Sequence, residues 1–247
     1  MARYARYSSA NIFIHDYFPP GVKWLLISNT VICVLTFLCP YPLQRNIMLV
    51  LALSAQAAVK SLFVWQLVTY MFLHSTLTPW HLIFNMLTLW FFGSQLERDW
   101  GTRRFLKYYF YCGIAAGVCV LVVNILLGYW GTITLGASGA IFGVLVAFAV
   151  MYPDQIVLFI IFPIKAKYLV MILVAVELWF TLGPNTGVST IAHLGGAAFG
   201  FVYLKRGLPW LPMPDVGGAY RQWKLQRAKR KFQTFMKKRD GRGPRVN

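Results

Sequence analysis

Long apolar runs separated by short polar or basic breaks dominate the first 205 residues. Trp24 to Gln44 carries no charged side chain and ends in Pro40-Tyr41-Pro42. A spanning helix needs about 20 predominantly apolar residues, so this run predicts a first span over about 22–40. Residues 41–79 are mixed, with an apolar stretch from Ile47 to Val59, then Lys60, then Trp65 to His74. These runs are short for spanning and predict a folded outer loop with interfacial helices, a re-entrant piece being the alternative. Pro79 suits the first turn of a helix, and a second span is expected from there to about Leu96. The charge-free run from Tyr108 to Pro153 is too long for one span. Gly128 to Gly136 divides it into spans at about 105–127 and 137–152. A turn is expected over 153–167, with Asp154, Pro163, Lys165 and Lys167. A fifth span follows at about 168–182, stopped by Gly183-Pro184-Asn185, and a sixth at about 190–204. The pattern predicts an all-α polytopic membrane bundle of six transmembrane helices, without internal repeats.

Composition sharpens that choice. Of the 247 residues, 58% are hydrophobic and 13% charged, about half the charge of a soluble domain, and the mean hydropathy is +0.57. A surface so poor in charge excludes an ordinary soluble domain and, for most of the length, intrinsic disorder. Four cysteines are too few for a disulfide scaffold. Cys33, Cys39, Cys112 and Cys119 all fall in apolar spans, where packing is their default role.

The net charge of +17 is uneven. Residues 206–247 hold 12 Lys/Arg against Asp215 and Asp240, a basic tail behind an apolar body. That arrangement fits anionic lipid headgroups; no nucleic-acid recognition motif is present and no nucleic-acid partner is expected. Within Tyr220 to Lys238 the mixture of aromatic and basic residues suits either an interfacial amphipathic helix or a disordered basic end. Three regions are expected: a cytoplasmic N-terminal segment, 1–21; a six-span core, 22–205, containing the outer loop 41–79; and the basic cytoplasmic tail, 206–247. With the amino terminus inside, Arg3, Arg6, Lys23, Arg98, Arg103, Arg104, Lys107, Lys165, Lys167 and the tail all face the cytoplasm. Only Arg45 and Lys60 lie outside, which satisfies the positive-inside rule. Both termini are therefore expected to be cytoplasmic, in a cell inner or plasma membrane, with no secretory signal peptide.

This topology brings polar groups to one depth. The second, fourth and sixth spans enter from the outside, and carry His81 and Asn85, Ser138, and His193 near their starts. At 1.5 Å per residue all fall within roughly 10 Å of the outer hydrocarbon boundary, and such groups face the bundle interior. Ser138, in Gly136-Ala137-Ser138-Gly139, stands where loop becomes helix, beside unpaired backbone N–H groups that can hold an oxyanion. A histidine of ordinary pKa can take the serine proton at neutral pH. A glycine-flanked serine alone, or one histidine at a helix end, also reads as plain packing. Gly139 and Gly143 on the fourth span, with Gly196 and Gly200 on the sixth, permit close backbone approach. His81 and Asn85 share one helix face and can donate hydrogen bonds, to an oxyanion or merely to loop backbone.

No carboxylate accompanies the pair at that level except Glu177, a lone candidate in the fifth span, so a serine–histidine dyad is expected rather than a triad. His74, His81 and His193 could in principle be three metal ligands, but metal-binding spacings are absent. No cofactor or metal is expected.

At these residues the sequence resembles the rhomboid family of intramembrane serine proteases. The resemblance rests on His74 and His81-Leu-Ile-Phe-Asn85, on Gly136-Ala-Ser-Gly-Ala-Ile-Phe-Gly143, and on Ala192-His193-Leu-Gly-Gly196-Ala-Ala-Phe-Gly200. It implies Ser138 as nucleophile and His193 as general base and then acid. It further implies an oxyanion hole from the Ser138 N–H, Asn85 and His81, and cleavage of transmembrane helices near the outer face. Two positions depart from the family pattern: Phe142 stands where a tyrosine is frequent, and Trp65-Gln66 replaces a Trp-Arg pair. The alternatives are a non-catalytic rhomboid-like binder or chaperone of membrane helices and, less favoured, a transporter. Natural substrate and oligomeric state are not legible.

Overall fold

The computed structural model describes residues 17–76, 78–159, 162–182, 188–206 and Lys229. Residues 1–16, 183–187 and all of the basic tail beyond 206 except Lys229 lie outside the described residues. The chain divides into two units, Met1–Leu208 and Pro209–Asn247; the fold below is that of the first.

The described residues are mostly helical. Helix α1 covers Pro20–Leu38 and α2 Tyr41–Leu51, each with a proline in its first turn where the missing N–H costs nothing. A π turn at Gln56–Lys60 and the short α3, Gln66–Thr69, fill the loop region. Helix α4 starts at Pro79 and runs to Thr88, passes through a π segment at Leu89–Gly93, and continues as α5, Ser94–Trp100. The chain then turns at Gly101, whose φ of +77° suits glycine, into α6, Thr102–Leu126. Next come α7, Ser138–Met151, α8, Ala166–Leu182, and α9, Val188–Arg206. Six long helical stretches thus stand where the six apolar runs were, the second reaching four residues beyond expectation. Among the described residues α1 and α6 are individually long and apolar enough to cross a membrane.

One expectation fails. Residues 153–167 do not form a simple turn: β1, Ile156–Phe159, and β2, Phe162–Lys165, pair as an antiparallel hairpin, with Ile156 opposite Lys165. The segment is rich in Ile, Val and Phe, which favour strands, and in a two-stranded sheet every strand is an edge, so Pro163 is tolerated. Asp154, at the base of the hairpin, accepts from Lys167 and Lys165 at 2.9 and 3.1 Å; these hydrogen bonds hold its carboxyl below the usual range.

Helix α7 is the axis of the bundle. Val144 through Phe148 are all buried, so every face of the helix is enclosed. It lies between α6 and α9, and the approach is set by glycines. A methyl group on Gly196 would collide with the Gly139 carbonyl, and one on Gly200 would reach Gly143 Cα at 3.1 Å. Tyr108 donates to the Gly143 carbonyl at 2.8 Å, tying α6 to the same seam.

The outer loop is held by buried side chains. Gln66, fully buried, accepts from Ser54 N–H at 3.2 Å and donates to the Leu49 carbonyl at 3.1 Å. Trp65 donates to the Val50 carbonyl at 2.9 Å. Gln66 therefore stitches the loop backbone at the position where an arginine was the family expectation. At the other end of the bundle the Glu97 carboxylate accepts from Gly21 and Val22 N–H, both at 2.7 Å, and from the Thr102 hydroxyl at 2.6 Å. It caps the start of α1, where a helix favours negative charge, and pins it to the α5–α6 turn.

Candidate active site

Four helix ends meet at one end of the bundle: the starts of α4, α7 and α9 and the finish of α8. Ser138 is the first residue of α7 and half-buried. Its loop is fixed from behind, since Gly136 N–H donates to the Tyr70 carbonyl at 2.9 Å. Gly136 has φ of +117°, a conformation open mainly to glycine. A Cβ there would also stand 2.9 Å from His81 Cε1 and 3.8 Å from Ser138 Oγ, so Gly136 is what lets His81 and the serine share one space. The first N–H groups of α7 have no intrahelical acceptor and surround the serine.

His193 comes from the second turn of α9. Its ring stacks on Phe142 with centroids 4.4 Å apart and planes 9° apart. Phe142 is four residues after Ser138, on the same helix face, and helical side chains lean toward the N-terminus. The imidazole thus packs on Phe142, on the face of α7 that carries Ser138 one turn earlier. Among the described residues no hydrogen bond joins the Ser138 hydroxyl to the ring. The stack supplies an aromatic contact at 142, where a tyrosine is frequent in the family pattern, without its hydroxyl.

His193 Nδ1 lies 2.8 Å from Glu177 Oε1, with each side chain 16% exposed. The histidine of the expected dyad is therefore paired with a carboxylate. Helix spacing contained the signal: Glu177 lies five residues before Leu182 and His193 five residues after Val188, at equal distances from the 183–187 loop. An ionisable residue in an apolar helix is itself a pointer to a site.

Asn85 and His74 are buried together, with Asn85 Nδ2 3.2 Å from His74 Nε2, the amide donating to the ring. His74 and His81 have centroids 5.3 Å apart. Asn85 is thus bound to a histidine rather than to loop backbone, with one amide N–H left over. Burial, and secondarily His81, push the pKa of His74, in the loop ahead of α4, down to about 4. Gly139, Gly196 and Gly200 belong to the α7–α9 seam described above. Among the described residues no group of three His, Cys, Asp or Glu side chains is arranged to hold a metal.

Residues 62–209 match the Rhomboid domain, and the chain belongs to the rhomboid family. It is 36% identical over 129 residues to Rhomboid protein 1, mitochondrial, of Saccharomyces cerevisiae, covering 50% of this chain and 37% of that protein. It is 31% identical over 171 residues to RHOMBOID-like protein 2 of Arabidopsis thaliana, covering 69% and 50%. With the putative rhomboid protease YdcA of Bacillus subtilis it shares 33% over 140 residues, covering 56% and 64%. The chain spans between about a third and two thirds of the length of these relatives. Members of the family are integral membrane proteins.

Proposed function

We propose that this protein is an intramembrane serine endopeptidase that cuts transmembrane helices near the outer membrane face. The observation that carries the reading is the His193 ring stacked on Phe142, one turn from Ser138 at the start of α7.

In the proposed reaction Ser138 Oγ attacks the scissile carbonyl while His193 Nε2 takes its proton. The tetrahedral oxyanion accepts from the Ser138 N–H and from His81 and Asn85 side chains. Collapse breaks the C–N bond, and the imidazolium returns the proton to the departing amine. Water, deprotonated by the same imidazole, then releases the acyl group and restores Ser138. Substrates are helices whose outer ends contain helix-breaking residues, because a regular helix keeps its carbonyls in internal hydrogen bonds.

The six long helices are proposed as spans. Both termini then face the cytoplasm, the site opens toward the outer face, and the basic tail rests on anionic headgroups. The relative named as a putative rhomboid protease supports the enzymatic reading.

The test is cleavage of a membrane-anchored test substrate in proteoliposomes. Wild type cuts it; Ser138→Ala and His193→Ala fold and leave it whole. Cleavage by either variant at the wild-type rate contradicts the reading. A folded wild type that binds the helix without cutting it indicates a non-catalytic binder.

A further inference from the structure

The carboxylate of Glu177 has no role in a two-residue mechanism, yet it is placed with care. It comes from α8. It stands 2.8 Å from Nδ1 of the His193 ring. Among the described residues His193 is the one partner of the carboxylate; the hydrogen bond from Thr181 goes to the Glu177 backbone carbonyl at 2.8 Å. A carboxylate in an apolar helix is expensive unless paired, so the pairing explains its presence, and its position explains what the pairing does.

We propose that Glu177 is a positioning residue that completes Ser138 and His193 into a three-residue arrangement. The proposal rests on the protease reading above and deepens it. The carboxylate accepts the hydrogen bond from His193 Nδ1–H. That fixes the tautomer in which Nε2 carries a lone pair, the form required to take the Ser138 proton. Two contacts then define the ring completely: the Phe142 stack sets its plane, and the Glu177 bond sets its rotation within that plane. When Nε2 gains the serine proton, the new positive charge lies against a carboxylate on one edge and an aromatic face on the other. The Nδ1 proton stays on the ring throughout, and the carboxylate acts by orientation and charge. Because Glu177 and His193 sit on different helices, the bond also ties the 166–182 helix to the 188–206 helix.

The test compares wild type, Glu177→Leu, Glu177→Gln and Glu177→Asp as full-length chains in detergent micelles. The first readout is the ¹⁵N spectrum of ring-labelled histidine, assigned by His193→Ala. Wild type shows His193 with the proton on Nδ1; Glu177→Leu shifts it toward the Nε2–H form. The second is kinetics on the test substrate. Glu177→Leu and Glu177→Gln lower kcat at least about tenfold with KM changed less than about twofold, and Glu177→Asp recovers more activity than Glu177→Leu. A Glu177→Leu enzyme with wild-type kcat and an unaltered His193 spectrum overturns the proposal. The protease reading fails separately: a wild type whose Ser138 does not react with a fluorophosphonate removes the reaction, while the spectrum still reports whether Glu177 sets the tautomer.

Discussion

The His193 imidazole lies flat against the Phe142 ring, 4.4 Å between centroids and 9° from parallel. Aromatic pairs contribute about 0.5–1.5 kcal/mol beyond simple burial, and a cation over an aromatic face adds about 0.5–2 kcal/mol. The second contribution appears only when the imidazole carries the serine proton, so it favours the transition state. Phe142→Leu should lower kcat about 3- to 30-fold, with KM little changed. Phe142→Tyr should stay near wild type. Steady-state cleavage assays distinguish these outcomes.

The α7–α9 seam tolerates no added methyl group. On Gly139 a Cβ would come within 3.2 Å of the Ala192 carbonyl on α9 and 2.6 Å of Ala116 Cβ on α6, and on Gly196 it would collide with the Gly139 carbonyl. Helix backbones and an alanine cannot move aside cheaply, so Gly139→Ala and Gly196→Ala should each destabilise the bundle by about 1–3 kcal/mol and abolish activity by separating Ser138 from His193. Gly131, with nothing within 4 Å of its would-be Cβ, supplies the control: Gly131→Ala should unfold at the wild-type temperature.

Glu97 is 2% exposed and accepts three hydrogen bonds, two of them from the first turn of α1. Truncation leaves two backbone donors unpaired. Glu97→Ala should lower stability by about 1–3 kcal/mol while leaving Ser138 reactive in the fraction that remains folded. Thermal unfolding followed by circular dichroism measures the loss.

His74 makes stability depend on pH. Its pKa is about 4 in the folded protein against an ordinary 6.5. Between those values the unfolded chain binds more protons than the folded one, so stability rises with pH across the window and falls on acidification. The contribution is fully present above about 6.5 and is lost as pH drops toward 4, a change of order 3 kcal/mol at most. Unfolding temperatures of wild type and His74→Gln should therefore converge at low pH and separate at neutral pH. A constant separation from pH 4 to 7 contradicts this assignment.

Much of this arrangement was legible along the chain. Six apolar runs marked six helices, and Pro79 and the Gly128–Gly136 break marked limits of three of them. The shared depth of His81, Asn85, Ser138 and His193 pointed to one end of the bundle before any coordinates. The strand-favouring Ile, Val and Phe of 156–162 were a local signal for the hairpin, outweighed in the reading by Asp154, Pro163 and the lysines, which suit a turn. Less legible were features that depend on which faces meet. Gln66 reads as a departure from a family arginine until its amide is seen joining Ser54 to Leu49. Glu177 shows the limit most clearly. Its depth could be counted from the helix ends, but its partner depended on the rotation of α8 about its axis, which packing alone decides.

The most direct measurement is mass-spectrometric mapping of the chain after treatment with a fluorophosphonate, a probe that reacts only with a serine made nucleophilic by its surroundings. The expected result is a single adduct on Ser138 in wild type and none in His193→Ala. An unmodified Ser138 in folded wild type, or an adduct that forms equally well without His193, contradicts the account.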